Sequence, residues 1–279
     1  MKIPGFIRER KKEERADKRV ARAIRENIAI SVSGLSTYFE TRMGIDNINL
    51  DVKYGDLVGI VGGSGAGKTI LGKHLIGLEY AEETAREGSV ILYGKDLDRI
   101  SEKELERIRR RIGYVPQTNA LWSALNIYGN ITLALRENPE RKYKESELKE
   151  IAENVLRKVN LGPEYLSRMT DQISGGEKKR VAIARALAIH PDIIVYDEPT
   201  SGLDPRTTKS IADLIVKLHE ASNTSIVITH EPRLMEMMER IVFLKAGQKY
   251  FDGNWEDFEG SEDPEICNFL ANENLILHS

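Results

Sequence analysis

A glycine-rich segment that runs into a lysine and a threonine has the composition of a phosphate-binding loop. An apolar run at residues 58–61 precedes it, and a helical pattern at residues 70–77 follows. Glycines let consecutive backbone N–H groups curve around a phosphate, and the start of a helix adds partial positive charge. A lysine at this position reaches the β- and γ-phosphates, and a hydroxyl can ligate Mg²⁺. The candidate residues are Gly62, Gly63, Ser64, Gly65, Ala66, Gly67, Lys68, Thr69 and Ile70.

A second candidate segment is an apolar run that ends in two acids. Residues 193–196 read Ile-Ile-Val-Tyr, and Asp197 and Glu198 follow. In combination with a phosphate loop, Asp197 would hold Mg²⁺ through its water shell and Glu198 would polarise an attacking water. Without that loop, the same pattern is equally typical of a strand that ends in two solvated acids.

A third segment lies between the first two and opens a helix that we expect to end near Ile189. Ser174 is a natural N-cap, and Gly175 and Gly176 allow backbone N–H groups to approach an anion. Taken alone, this pattern also fits an ordinary capped helix.

Short β-branched runs alternate with helical patterns from about residue 30, which predicts an α/β fold. Residues 118–190 carry mostly helical periodicity, so we expect a helical subdomain inserted into the α/β core. Predicted strands lie at residues 48–52, 57–61, 90–93, 112–115, 193–196, 226–229 and 241–244, and predicted helices at 102–111, 145–159, 211–221 and 232–238.

Composition excludes several classes of protein. The chain has 279 residues, a net charge of −3, one cysteine and 6% aromatic residues. One cysteine cannot form an internal disulfide, and no apolar run approaches the ~18–20 residues that a membrane span needs. A mildly acidic chain with few aromatics is not expected to have nucleic acid as its main partner.

Residues 1–26 form a basic head, with ten Lys or Arg against five acids. Their periodicity predicts an amphipathic helix with a narrow apolar stripe. It is either a solvated charged helix or frayed tail, or a contact for an anionic membrane surface or a partner. The stripe consists of Ala16, Val20, Ala21, Ile24 and Ile28.

The three segments, together with three shorter ones in the same order, resemble the motifs of the ATP-binding subunits of ABC transporters. In that family they are Walker A, the Q-loop (Gln117), the signature (Ser174–Gly176), Walker B, the D-loop (ending at Asp204) and the switch histidine (His230). The resemblance implies a P-loop NTPase (RecA-like) core with an inserted α-helical subdomain and a small antiparallel β subdomain. We expect an N-terminal extension at 1–28, an ABC ATPase domain at 29–258 with its helical subdomain at about 118–190, and a short tail at 259–279. The fifth signature residue is commonly Gln and here is Glu177, to which we assign no ligand role.

The resemblance also implies site roles, with ATP and Mg²⁺ as cofactors. Two nucleotides would be sandwiched in a head-to-tail dimer with a second copy of the chain. Phe39 would stack on adenine, with Tyr38 as the alternative, although either could be a core aromatic. The implied catalytic residues are Glu198, His230, Gln117 and Lys68, the implied metal ligands are Thr69, Gln117 and Asp197, and the implied nucleotide contacts are Phe39, residues 62–70, Ser174, Gly175, Gly176 and Asp204.

More variable stretches at residues 68–78, 112–130 and 263–270 resemble the Mla/Mce group of bacterial lipid-transport ATPases. That group implies a phospholipid cargo, an integral membrane permease, an MCE-type substrate-binding protein, often a STAS-domain subunit, and a peripheral position on the cytoplasmic side of the inner membrane. The alternative is an importer of amino acids or other small solutes, although the short tail is unlike importers with an appended regulatory domain. A soluble chromosome or translation ATPase is disfavoured, because the chain has neither a long coiled coil nor a second motif set. An apolar cluster of Leu121, Trp122, Leu125 and Ile127 either packs in the helical subdomain or receives a helix of the permease.

Overall fold

The computed structural model describes residues 5–40, 42–78, 83–220 and 223–273, and it divides the chain into two compact units. None of the helices in these ranges has the length and apolar character that crossing a bilayer requires. In chain order the elements are α1 (Gly5–Arg25), β1 (Ile28–Phe39), β2 (Arg42–Lys53), β3 (Leu57–Val61), α2 (Lys68–Leu75), β4 (Glu83–Leu92), β5 (Lys95–Asp96), α3 (Glu102–Arg109), β6 (Ile112–Val115), α4 (Ile127–Arg136), α5 (Glu145–Lys158), α6 (Gly175–Ala188), β7 (Ile193–Asp197), α7 (Pro205–Glu220), β8 (Thr224–Ile228), α8 (Pro232–Met235), β9 (Arg240–Lys245), β10 (Gln248–Gly253), α9 (Trp255–Glu259) and α10 (Pro264–Asn272).

The first unit comprises residues 1–54, 64–109 and 244–250 and contains a four-stranded antiparallel sheet. The strand order is β2-β1-β4-β5, with Val32 of β1 opposite Leu50 on one side and Val90 on the other. These three side chains are buried. The sheet is the small antiparallel β subdomain that the family resemblance implies, and α2 and α3 belong to the same unit.

The N-terminal helix α1 is confirmed, but its predicted apolar stripe is wrong in part. Ala16 and Ala23 are buried, whereas Ala21 is exposed and Ile24 is 69% exposed. Ile28 is buried, but it opens strand β1 and is not part of the helix. The inward face therefore follows residues 16, 20 and 23, because α1 packs against β1, β4 and β5. Ion pairs from Arg22 to Asp51 of β2 and from Asp17 to Arg99 in the turn after β5 hold this part of the helix against its unit, so it is docked rather than frayed.

The second unit comprises residues 55–63, 110–243 and 251–279 and is built on parallel strands. The six-stranded sheet has the order β10-β9-β3-β8-β7-β6, in which β9, β3, β8, β7 and β6 are parallel neighbours. Every residue of β3, β7 and β8 is buried. Burial on both faces explains why residues 193–196 are continuously apolar rather than alternating.

Three helices, α4, α5 and α6, occupy about half of the chain between β6 and β7, with no strand among the described residues there, which agrees with the helical periodicity of residues 118–190. Both α4 and α5 pack against α6. Near the C-terminus, α9 and α10 close the core through aromatic contacts. The ring of Phe269 lies 4.9 Å from that of Phe243 and 6.2 Å from that of Phe258, measured between centroids. The segment expected to be a short tail thus contributes a packed helix.

We predict that Tyr196→Phe raises the free energy of unfolding by about 1 kcal/mol, because a buried hydroxyl without a hydrogen bond destabilises the folded state. Tyr196 is fully buried in β7, and its hydroxyl has no hydrogen-bond partner among the described residues. Urea unfolding of both proteins measures the change. Tyr128→Phe is the matched control, because the Tyr128 hydroxyl donates to Glu145 at 2.6 Å and its removal should not stabilise the protein. A loss of stability in Tyr196→Phe would contradict the prediction.

Candidate nucleotide site

The carboxyl ends of two adjacent parallel strands bring three predicted site residues together in the second unit. Asp197, the last residue of β7, pairs with Ile228, the last residue of β8. The amide of Glu198 then donates to the Ile228 carbonyl at 2.9 Å, and His230 follows two residues after that carbonyl. Because parallel strands end at the same edge of the sheet, the acids of one strand meet the histidine of the other.

Glu198 and His230 are in direct hydrogen-bond contact. The Nδ1 atom of His230 lies 3.0 Å from Oε1 and 2.9 Å from Oε2 of Glu198. The Glu198 residue is only 7% exposed and has a left-handed backbone with φ of +46°. Such a conformation is unfavourable for a non-glycine residue and is often found at functional sites. A buried carboxylate whose direction is set by an imidazole is suited to accept a proton from water.

The buried carboxylate of Asp197 is oriented by a residue that the sequence analysis missed. The hydroxyl of Tyr114 donates to Oδ2 of Asp197 at 2.8 Å. Tyr114 lies on β6 opposite Val195, so the neighbouring strand carries the donor. A carboxylate fixed by such a hydrogen bond fits Mg²⁺, which prefers oxygen ligands and depends on the groups that orient them.

Lys179 of α6 is a second residue that the sequence analysis missed. It is 1% exposed, and its Nζ atom donates to the backbone carbonyl of Gln117 at 2.9 Å. Burial lowers the pKa of Lys179 to about 8, and the charges of Asp197 and Glu198 act in the opposite direction. The side chain of Gln117 donates from Nε2 to Oγ of Ser201 at 3.3 Å. A buried cation is therefore under the electrostatic influence of the two acids and contacts the backbone of the predicted Q-loop glutamine.

The predicted phosphate loop leaves β3 at Gly62 and Gly63, in the second unit, and continues in the first unit from Ser64. Gly67 caps α2 with φ of +96°, and a Cβ at this position would lie 2.6 Å from Cγ2 of Ile45. A side chain at this position would be strained by the backbone and blocked by its neighbour, so the loop requires glycine here. The glycines, the amides at the start of α2 and Lys68 fit a triphosphate. The structure places Ser64, Gly65, Ala66, Gly67, Lys68, Thr69 and Ile70 in one continuous segment of the first unit.

Phe39 lies close to the start of α2 within the first unit. A Cβ on Gly44 would fall 2.5 Å from Cε2 of Phe39 and 3.1 Å from Cδ1 of Ile70, so both side chains flank this glycine. Phe39 and Tyr38 are both partly exposed. The choice of Phe39 as the adenine-stacking residue stays a prediction.

The predicted signature and D-loop residues line one open pocket of about 570 Å³ in the second unit. Oγ of Ser174 caps α6 by accepting from the amide of Glu177 at 3.3 Å. A Cβ on Gly176 would lie 2.6 Å from Cγ2 of Thr207, so α6 approaches α7 closely here and a larger residue would displace the Thr207 side chain. Asp204 caps α7, with Oδ1 accepting from the amides of Arg206 and Thr207 at 3.1 Å. Ser174, Gly175, Gly176 and Asp204 are thus brought together.

The carboxylate of Glu177 accepts hydrogen bonds from the N-cap of its own helix and from Tyr165. Its Oε2 atom accepts from the Ser174 amide at 2.7 Å, and its Oε1 atom accepts from the Tyr165 hydroxyl. These two hydrogen bonds, the one from Tyr165 first, lower the pKa of Glu177. The carboxylate is ionised at neutral pH and completes a capping box with Ser174.

We predict that Tyr165→Phe lowers stability at pH 7 by about 1 kcal/mol, because the ionised Glu177 loses its side-chain donor. The lowered pKa makes this contribution present above the ordinary glutamate pKa of ~4.3. The contribution is lost as the pH falls through the lowered value. Thermal unfolding at pH 7 and below pH 4 measures the difference. Tyr143→Phe, a hydroxyl removal elsewhere in the unit, is the control. A stability gap that persists unchanged in acid would disprove the assignment.

Comparison with known proteins places this arrangement in a family. A family model described as ABC transporter matches residues 45–201, more than half of the chain. The methionine import ATP-binding protein MetN 1 of Oenococcus oeni is 39% identical over 215 residues, which cover 76% of this chain and 59% of that protein. The intermembrane phospholipid transport system ATP-binding protein MlaF of Haemophilus influenzae is 36% identical over 247 residues, which cover 88% and 90%. The chain spans less than two thirds of the length of the methionine-import relatives that it matches.

A solved structure supports the same assignment. The ATP-binding cassette MJ0796, in a dimeric post-hydrolysis state bound to ADP and Pi, is similar with a TM-score of 0.73 and 32% identity. The similarity covers 81% of this chain and 98% of that one. The chain belongs to the ABC transporter family and carries the ATPase domain of that family, for which ATP and Mg²⁺ are the cofactors.

Proposed function

We propose that the chain is the ATP-hydrolysing subunit of an ABC transporter and that Glu198 activates the attacking water. The contact between the Glu198 carboxylate and the His230 imidazole is the observation that carries this proposal. It supports the choice of Glu198 as the base, because His230 orients a carboxylate that directly follows Asp197 in the chain.

In this proposal each group of residues has a separate task. The amides of residues 62–67 and the ammonium of Lys68 bind the phosphates. Thr69, Gln117 and Asp197 hold Mg²⁺ directly or through water. When bound, Mg²⁺ neutralises charge that develops on the β- and γ-phosphate oxygens.

The hydrolytic step requires a water molecule in line with the γ-phosphate. Glu198 draws a proton from this water, while His230 keeps the carboxylate in one orientation and is able to contact the γ-phosphate. Gln117 contributes an amide that contacts Mg²⁺ and the water. The donors at the start of α6, including the amides of Gly175 and Gly176, face the nucleotide of a second copy in a head-to-tail dimer.

We predict that Glu198→Gln retains ATP binding and lowers kcat by about 10²–10⁴-fold, because an amide cannot take up the proton. Turnover is measured as phosphate release, and ATP binding by fluorescence of a labelled nucleotide. Light scattering with ATP should show this variant as a trapped dimer. Glu231→Gln is the matched control, because it makes the same substitution at a nearby glutamate, three residues after Ile228. This variant should keep kcat within about twofold of wild type. Near-normal hydrolysis by Glu198→Gln would rule out Glu198 as the base.

For the cargo we propose phospholipid, carried through an integral membrane permease with an MCE-type substrate-binding protein and often a STAS-domain subunit. The residue stretches that resemble the lipid-transport group support this choice, as does the MlaF relative, with similarity over 90% of its length. Such a subunit would lie on the cytoplasmic side of the inner membrane. Methionine import is the alternative, because MetN 1 is similar at a comparable identity.

The contact with the permease is proposed at the exposed side chain of Trp122. This side chain is 61% exposed, whereas Ile127 of the same apolar cluster is fully buried, so the cluster divides between surface and core. The buried side chain of Asn130 fixes the loop. Its Oδ1 atom accepts from the Trp122 amide at 2.7 Å, and its Nδ2 atom donates to the carbonyls of Trp122, Leu125 and Asn126. A fixed loop that presents an aromatic side chain is suited to a protein contact.

We predict that the chain, purified from membranes with its permease, carries phospholipid in the complex and hydrolyses ATP faster when an MCE-domain protein is present. Mass spectrometry of extracted lipid, compared with a mock purification in the same detergent, measures the cargo. Trp122→Ala should lower the yield of permease without lowering ATP binding. A complex that contains a solute-binding protein, and whose ATPase responds to methionine, would exclude the lipid proposal while leaving the ATPase assignment intact.

A further inference from the structure

Lys179 is a buried lysine, and burial is energetically unfavourable for a lysine side chain. It is 1% exposed on α6, a helix that also buries Val181, Ala182 and Ile183. Taking an ammonium out of water costs several kcal/mol unless hydrogen bonds and opposite charges compensate. The contacts and charges that offset this desolvation cost therefore indicate the role of the Lys179 side chain.

One compensating contact is with the backbone of the Q-loop. Nζ of Lys179 donates to the Gln117 carbonyl at 2.9 Å. Two residues further on, Asn119 and Ala120 have positive φ values of 62° and 47°. Arg185, one and a half turns along α6, donates to the Asn119 carbonyl at 2.9 Å and to the Ala120 carbonyl at 2.6 Å. Two cations of one helix thus hold a backbone segment that would otherwise relax from an unfavourable conformation.

The other compensation is electrostatic. The charges of Asp197 and Glu198 favour the ammonium form of Lys179. Both acids are themselves buried, at 3% and 7% exposure. Two carboxylates close together at the end of one strand repel each other, and a fixed cation within the same core offsets that repulsion.

We propose that Lys179 is a positioning residue of the hydrolytic site. Its ammonium holds the Gln117 backbone in place and balances the charge of Asp197 and Glu198, without touching the reacting atoms. The inference rests on the proposed function. Because Ser174 caps the start of α6, the same helix carries the signature at its first turn and holds the Q-loop from its second and third turns.

The test compares Lys179→Met, Lys179→Gln and Lys179→Arg with wild type in the full chain. Lys179→Met removes the charge and the donor, Lys179→Gln keeps a donor, and Lys179→Arg keeps both. Lys178→Met is the matched control, because Lys178 is the adjacent lysine of α6 and is only partly buried, whereas Lys179 is buried. For each variant we measure kcat and KM for ATP with Mg²⁺, thermal unfolding, and amide hydrogen exchange over residues 117–120.

We expect Lys179→Met to lose ~10–100-fold in kcat, the range for groups that orient a site without entering it, while KM changes less than threefold. Amide exchange should accelerate at residues 117–120 and stay unchanged elsewhere. Lys179→Arg should recover most of kcat, and Lys178→Met should match wild type. If Lys179→Met does not fold, Lys179→Gln carries the same test, with an expected loss of ~10-fold in kcat.

Two results would overturn the inference. One is a folded Lys179→Met or Lys179→Gln variant with kcat within twofold of wild type. The other is a fall in kcat that only follows the loss of folded protein, with faster exchange throughout the chain. Absence of ATP hydrolysis in wild type and in Lys178→Met alike would instead refute the proposed function itself.

Discussion

The parallel pairing of β7 with β8 is the constraint on which the rest of the site depends. Because Asp197 is paired with Ile228, Glu198 and His230 leave the sheet side by side and their side chains meet. A shift of one residue in this register would turn every side chain of the strand to the opposite face. The buried strands on both sides of the pair, β6 and β3, fix that register. Packing of the core therefore determines which side chains meet at the carboxyl edge of the sheet.

Most of the fold can be predicted from the sequence, because buried strands and helices have characteristic apolar patterns. The runs at 57–61 and 112–115 correspond to β3 and β6 with the same bounds, and the glycine-rich loop does connect a strand to a helix. The antiparallel strands are longer than the apolar pattern predicts. The predicted strand at 48–52 is only the last part of β2, whose earlier residues are more polar. The stripe of α1 was misplaced, because Ala21 and Ala23 look alike in a periodicity argument and only the docked sheet distinguishes them.

For the candidate site, the limit of prediction from sequence patterns is clearer than for the fold. Sequence motifs name the residues that can touch a phosphate, a metal or a water, since those residue types are few. They do not name Tyr114 and Lys179, which contact Asp197 and Gln117 from other elements, or Tyr165, which contacts Glu177. One signal was available for Lys179, which lies in line with apolar positions on α6, but a lysine in a helix is usually solvated. The cargo is harder still to predict from the sequence, because the shared motifs bind the nucleotide and do not contact the transported molecule.

The central claim is that Glu198, held by His230, activates the water that attacks ATP. A crystal structure of the chain with Mg²⁺ and a non-hydrolysable ATP analogue tests this most directly. We expect an ordered water within hydrogen-bond distance of the Glu198 carboxylate and in line with the γ-phosphate, with Ser174 of a second copy on the other side of that phosphate. A γ-phosphate with its in-line water held by other groups, and Glu198 turned away, would contradict it.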